Sequence, residues 1–220
     1  LADAGADVSC LRTMDTESGC AFIEVNSKGQ NRIIVSAGTN RMYTEEYIQS
    51  VLEKAEAGDF VLLQNEINMV GEIIRLSHEK GCRVVFNASP IPKNPEELPL
   101  ELVDIFMVNE LEAAALAGTS AEGDFRDILK ALQKKYPKAA IVMTLGKDGV
   151  LYGYKEEFYS HPIFKVNAVD TTAAGDTFCG YFLAALCAGK SVEMALREAS
   201  AASAMAVSAK GAAPSIPVHS

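Results

Sequence analysis

Ten residues, Val169-Asp170-Thr171-Thr172-Ala173-Ala174-Gly175-Asp176-Thr177-Phe178, combine what chemistry on an anion needs. They fall where an apolar stretch gives way to an alanine-rich helical pattern. The first-turn N–H groups of an α-helix have no intrahelical acceptor and sit at the positive end of its dipole. Three small residues, Ala173, Ala174 and Gly175, let an anion approach them closely. Asp176 lies inside that turn, where the positive end keeps a carboxylate ionised and able to accept a proton beside a bound phosphate. An anion hole and a base in one turn are the two parts phosphoryl transfer asks of a protein. The same residues also suit a plain helix start, since Asp is a common choice near caps and Ala-Ala-Gly permits tight packing.

Other segments carry weaker signals. Asn109-Glu110-Leu111-Glu112 follows a short apolar run and by itself reads equally as an N-cap with a first-turn acid. Thr144-Leu145-Gly146-Lys147-Asp148-Gly149 is a turn at a strand end whose two glycines suit close approach of a ligand. Glu66, in Gln64-Asn65-Glu66, is a loop acid after a buried strand. The run from Ala184 to Gly189-Lys190-Ser191 looks like a P-loop but has Ala for its first Gly and lies at a helix end. No Gly-x-Gly-x-x-Gly occurs, so a dinucleotide fold has no support.

The elements that must hold these residues follow from periodicity. Cys20–Val25 and Arg32–Val35 read as two short strands around the turn Asn26-Ser27-Lys28-Gly29-Gln30. Beyond this hairpin, β-branched runs at Phe60–Leu63, Arg83–Phe86, Ile105–Val108 and Ala140–Leu145 alternate with helical patterns near 44–57, 68–80, 109–117 and 122–135. Such alternation predicts βαβ units and a sheet covered on both faces. A further β stretch, Val150–Tyr154 with Phe158-Tyr159 and Phe164–Val169, leads into helices near 173–188 and 191–209, the first closed by Gly189. In open α/β sheets ligands bind beyond the carboxyl ends of the strands, where the motif, the glycine turn and the proline-rich loop 87–95 all fall.

Composition narrows the partners. The 220 residues are 49% hydrophobic, and Lys+Arg 20 against Asp+Glu 29 gives a net charge of -9. A chain this long buries a single sizeable core. Its acidity, with no basic cluster, argues against nucleic acid and for a small-molecule partner. Cys10, Cys20, Cys82, Cys179 and Cys187 form no C-x-x-C pair and read as reduced core residues, which argues against disulfide or zinc frameworks. His78, His161 and His219 are solitary. No apolar run approaches the ~18 residues of a membrane span, so a soluble, cytoplasmic protein is expected.

Val169–Phe178 closely resembles the C-terminal signature of the ribokinase-like (PfkB) carbohydrate kinases, D-T-x-[GA]-A-G-D-x-F, matching every fixed position. Asn109 and Glu112 resemble that family's N-x-x-E motif. Thr144–Gly149 is similar to its ATP-contacting turn, and Ala206–Ser215 to the loop that flanks adenine and a monovalent cation. The resemblance implies a three-layer α/β/α fold with a mostly parallel sheet and a small β lid, the hairpin 18–36. It implies ATP-dependent phosphorylation of a sugar hydroxyl, with Asp176 as base and the N–H groups of Ala173 to Asp176 as anion hole. ATP would lie on Asn109, Thr144, Leu145, Gly146, Lys147, Asp148, Gly149, Gly175 and Asp176. Asn109 and Glu112 would help organise Mg²⁺ indirectly, Asp170, Thr172, Ala206, Ala209, Gly211 and Ser215 would enclose K⁺, and Glu66 would contact the sugar.

The Ala-Ala-Gly-Asp form and the tail imply D-ribose as acceptor, giving ribose 5-phosphate. A fructose, ketodeoxy-acid or nucleoside kinase of the same family, or a truncated non-catalytic nucleotide or sugar binder, remains the alternative. The lid implies a homodimer. Family members are longer and open with a G-G-x-x-x-N motif absent here, so residues 1–220 are expected to be one α/β domain incomplete at its N-terminus, with Leu1 at a cut.

Overall fold

The computed structural model describes residues 1–25 and 31–218. Its internal contacts divide the chain into two units, Leu1–Val85 with Pro92–Val103, and Phe86–Ile91 with Asp104–Ser220. The hairpin turn 26–30 and His219 lie outside the described residues.

In the first unit, β1 (Cys20–Val25) and β2 (Asn31–Ser36) pair antiparallel, Cys20 opposite Ser36 and Val25 opposite Asn31, as a two-stranded sheet. Helix α1 (Glu45–Leu52) starts at Thr44, whose hydroxyl accepts the Tyr47 N–H at 3.3 Å. It is shorter than the 44–57 pattern. After Glu53 the chain leaves through tight turns, Lys54 N–H to the Val51 carbonyl and Ala55 N–H to that of Leu52, towards Gly58 at φ 95. β3 (Phe60–Gln64) and α2 (Val70–Glu79) follow, and the apolar stripe of α2 buries Val70, Ile73 and Ile74.

β4 (Arg83–Asn87) runs into the second unit, which holds β5 (Ile105–Asn109), α3 (Glu110–Ala117), α4 (Phe125–Lys135), β6 (Ala140–Thr144), β7 (Val150–Tyr154), β8 (Glu157–His161), α5 (Ala174–Cys187) and α6 (Val192–Val207). The sheet order is β3-β4-β5-β6-β7-β8, with helices on both sides. β5 runs parallel to β6, Ile105 opposite Ala140, whereas β6–β7 and β7–β8 are antiparallel. Strands covered on both faces are apolar almost throughout. Phe106, Ile141, Val142 and Met143 accordingly show no exposed surface. Burying a side chain of this kind stabilises the fold by roughly 1.5–3 kcal/mol.

Helix α5 buries Phe178, Cys179, Phe182, Leu183 and Ala185, and α6 buries Ala195, Leu196, Ala199, Ala202 and Ala206. Gly189 (φ 73) ends α5: its N–H donates to the Leu186 carbonyl and that of Lys190 to the Ala185 carbonyl, both at 3.0 Å. That is a Schellman closure, so the Ala184–Ser191 run is a helix stop and not a phosphate loop.

Two expectations need correction. Residues 162–169 form no strand. Their alternating apolar residues line a cleft rather than a ladder. The cysteines are all free, but only Cys82 and Cys179 are buried, whereas Cys20 and Cys187 are exposed, on the two-stranded hairpin and the last turn of α5. No helix among the described residues is long and apolar enough to cross a membrane.

Candidate active site

The turn that ends β6 and the turn that begins α5 open on one cleft of about 670 Å³ in the second unit. Thr144, Gly146, Lys147 and Gly149 line it from one side and Ala174 and Gly175 from another, with Ile163, Phe164 and Val166 from the irregular segment and Ser200, Ser203 and Val207 from α6. The β6 turn is closed by the Leu145 N–H on the Gly149 carbonyl at 2.8 Å. Gly149 holds φ 96, and a Cβ there would stand 2.2 Å from the His161 carbonyl oxygen, so only glycine fits. Leu145, buried, and Asp148, exposed, are not among the residues lining the cleft.

Helix α5 starts without a side-chain cap. Ala173 takes the cap position at φ 59, in the left-handed region, where a non-glycine residue carries about 1 kcal/mol of strain. This is the position where the signature admits either Gly or Ala. The Thr177 N–H opens the helical ladder on the Ala173 carbonyl at 2.9 Å. The Ser203 hydroxyl donates to the Ala174 carbonyl at 3.0 Å and ties the first turn to α6. A Cβ added to Gly175 would meet nothing within 4 Å. The turn is thus open at Gly175, while the Ala174 N–H already donates to the Thr171 carbonyl at 3.3 Å.

Asp176 is exposed and borders a second hollow of about 420 Å³, with Thr177, Gly180, Tyr181 and Lys190. Adjacent residues thus face two different spaces, Gly175 the larger and Asp176 the smaller. Cys179, three residues further, is buried, and its thiol is pushed up to about 12, first by burial and then by the negative charge of Asp176.

Asp170 braces the motif. One carboxylate oxygen accepts the Thr172 N–H at 2.9 Å and the other the Gly211 N–H at 3.0 Å. Hydrogen bonds from the Thr172 side chain, then from the Gly211 and Thr172 N–H groups, hold this carboxyl down to about 2. The Val169 and Asp170 N–H groups donate to the Val207 carbonyl at 2.7 and 3.2 Å. Asp170, Thr172 and Gly211 are therefore together. Ala206, Ala209 and Ser215 lie on the same run of chain, the Ala209 N–H on the Ala206 carbonyl at 3.1 Å and the Ser215 hydroxyl on the Ala212 carbonyl at 2.8 Å. Carboxylate and carbonyl oxygens of this kind fit a hard cation such as K⁺.

Asn109 and Glu112 form a capping box at the start of α3: Oδ1 of Asn109 accepts the Glu112 N–H at 2.8 Å, and Oε2 of Glu112 accepts the Asn109 N–H at 2.9 Å. The structural alternative for this pair is thus realised. It leaves the second oxygen of Glu112, a residue 8% exposed, outside the box. Among the described residues no three His, Cys, Asp or Glu side chains could hold a metal together. A divalent ion near Glu112 would draw most of its ligands from phosphate and water, which suits Mg²⁺. Glu66 lies in the other unit, exposed on the turn after β3.

Residues 163–166 and the serines of α6 were not visible as site residues from the sequence. The first overlaps the stretch Phe164–Val169 expected to be β, and the second lie within the alanine-rich helical pattern 191–209.

An uncapped helix start beside a glycine turn and a carboxylate, at one edge of an α/β sheet, is an arrangement that phosphoryl transfer can use. The chain belongs to the pfkB family carbohydrate kinases, whose pattern it matches over residues 1–219, and it is a carbohydrate kinase. Ribokinase of Haemophilus influenzae is 35% identical over 224 residues, spanning 100% of this chain and 72% of that protein. The crystal structure of ribokinase from Thermotoga maritima superposes with a TM-score of 0.78 at 35% identity, covering 93% of this chain and 68% of that one. Ribokinase of Arabidopsis thaliana complexed with ribose and ATP gives a TM-score of 0.77 at 31% identity, over 92% of this chain and 67% of its own.

Proposed function

We propose that the protein transfers the γ-phosphoryl group of ATP to a hydroxyl of D-ribose, forming ribose 5-phosphate. The observation that carries this reading is the division of labour at α5: Gly175 lines the 670 Å³ cleft together with the glycine turn, while Asp176, the next residue, borders a separate space. A phosphoryl donor in the cleft and an acceptor hydroxyl beside Asp176 would both reach the start of α5, where transfer can take place. Asp176 takes the hydroxyl proton as the oxygen attacks. The N–H groups from Ala173 to Asp176 stabilise charge on the equatorial oxygens, each such donor being worth ~3–4 kcal/mol in comparable holes.

Lys147 is the cationic side chain of the cleft turn and steadies the phosphates. The apolar walls at Phe164 and Val207 suit the face of a nucleobase. Mg²⁺, organised through Asn109 and Glu112, would neutralise the phosphate oxygens, and K⁺ on Asp170, Thr172, Ala206, Ala209, Gly211 and Ser215 would brace the anion-hole turn from behind. Glu66 is our candidate sugar contact. The hairpin leaves Phe22 and its cross-strand partner Ile34 exposed on one face, which suits cover by a second copy.

The test is ATP consumption by the protein against D-ribose, 2-deoxyribose, fructose, a ketodeoxy sugar acid and a nucleoside. D-ribose should give the highest kcat/KM. Higher turnover with another acceptor would move the substrate, and no consumption with any of them would leave a nucleotide or sugar binder. Replacing Na⁺ by K⁺ should raise the rate, and an equal rate in both would remove the cation site.

A further inference from the structure

Asn87 is the last residue of β4, at the carboxyl edge of the sheet, and is 9% exposed. Its amide Nδ2 donates to Sγ of Cys179 at 3.6 Å, a buried contact across 92 positions of sequence. A buried amide costs free energy unless it is well hydrogen-bonded, and sulfur is a weak acceptor. Replacing both partners by apolar groups of like shape is commonly neutral or stabilising, so stability alone gives no reason for this pair. Its place does.

Cys179 stands three residues after Asp176 on α5, so the two share one side of the helix. The end of β4 and the first turns of α5 therefore meet at one buried thiol. The apolar packing that buries Phe178, Phe182 and Leu183 on α5 is non-directional, whereas a hydrogen bond from the end of a strand is directional.

We propose that Asn87 is a positioning residue: through its hydrogen bond to Cys179 it sets the rotation of α5 and so the aim of the Asp176 carboxylate. This rests on Asp176 being the base. Misaiming a reacting group by a fraction of an ångström costs turnover and leaves binding nearly intact.

The experiment measures kcat, both KM values and Tm for Asn87→Ala, Cys179→Ala, Cys179→Ser, the double alanine variant and Asp176→Asn, with ATP and D-ribose. Asn87→Ala should lower kcat about tenfold while each KM stays within about twofold. Cys179→Ala should do the same, the double variant should be no worse than either alone, and Cys179→Ser, which keeps an acceptor, should restore most of the rate. Cys179→Ala and Cys179→Ser decide the matter even where Asn87→Ala does not fold. Wild-type kcat in Asn87→Ala, full additivity in the double variant, or equal losses in the Ala and Ser variants would overturn the proposal. If Asp176→Asn turns over normally, the base reading fails. If only Asp176→Asn loses activity, the positioning role alone fails.

Discussion

Helices α3 and α5 both begin at the site edge of the second unit, yet they are finished in opposite ways. α3 satisfies itself: Asn109 and Glu112 close each other's first-turn groups in a capping box. α5 has an alanine in the left-handed cap position, no side-chain cap, and a glycine whose missing Cβ faces open space. A bare start alone is not the distinguishing mark. α2 also begins bare, at Met69, but a Cβ on its Gly71 would meet Pro99 at 3.3 Å and Leu98 at 3.4 Å, so the chain itself covers that turn. The start of α5 is held from outside, by Ser203 on the Ala174 carbonyl and by the braces of Asp170, which leaves its small-residue face to a ligand. The start of α5 is thus braced from outside and open at Gly175, whereas that of α3 is closed by its own side chains.

The sharpest way to break this contrast is Gly175→Ala. The new methyl should occupy the anion position and cut kcat/KM for ATP by about a hundredfold, while Ala raises helix stability by up to about 1 kcal/mol over Gly. A stable variant with normal ATP use would show that the bare turn does not take phosphate. Smaller is the effect of Glu112→Gln, which preserves the capping box because Gln serves at the third helical position. Its Tm should stay within about 2 °C, but the Mg²⁺ concentration for half-maximal activity should rise about tenfold. An unchanged Mg²⁺ requirement would make the pair purely structural.

Removing the cap itself, Asn109→Ala, should cost about 1 kcal/mol, seen as a Tm lower by about 2–4 °C. Smallest is the acid behaviour of Asp170. Its carboxyl titrates lower in the folded chain than in the unfolded one, so its contribution to stability is present above about pH 4 and is lost as pH falls towards about 2. Acid unfolding curves of wild type and Asp170→Asn should differ at neutral pH and converge across that window. Curves that keep a constant separation would mean that the brace does not depend on charge.

How much of this was legible in the sequence differs from one residue to the next, for physical reasons. The strands of the second unit are short runs of Val, Ile and Met buried on both faces, a pattern that continuous apolarity announces. The ends of α5 were readable because Gly189 has one use after an alanine-rich helix. The segment 162–169 was not, because a chain that lines an apolar cleft alternates its residues as an edge strand does. Ser200 and Ser203 were hidden among alanines that pack α6 against α5, where a small hydroxyl looks like another small residue. Asn109 and Glu112 were ambiguous by nature: the spacing that caps a helix is the spacing that presents a carboxylate near phosphate, and the structure realises the cap while leaving one oxygen over. Asn87 was readable only as the start of the proline-rich loop 87–95, since its partner is 92 residues away and of a type seldom paired with an amide.

Asp176, presented by the uncapped turn of α5, is the proposed base for phosphoryl transfer. Steady-state turnover of Asp176→Asn at saturating ATP and D-ribose tests it most directly. A kcat lower by at least about a hundredfold with KM for ATP little changed is expected; turnover near that of the wild type would remove Asp176 from the base role.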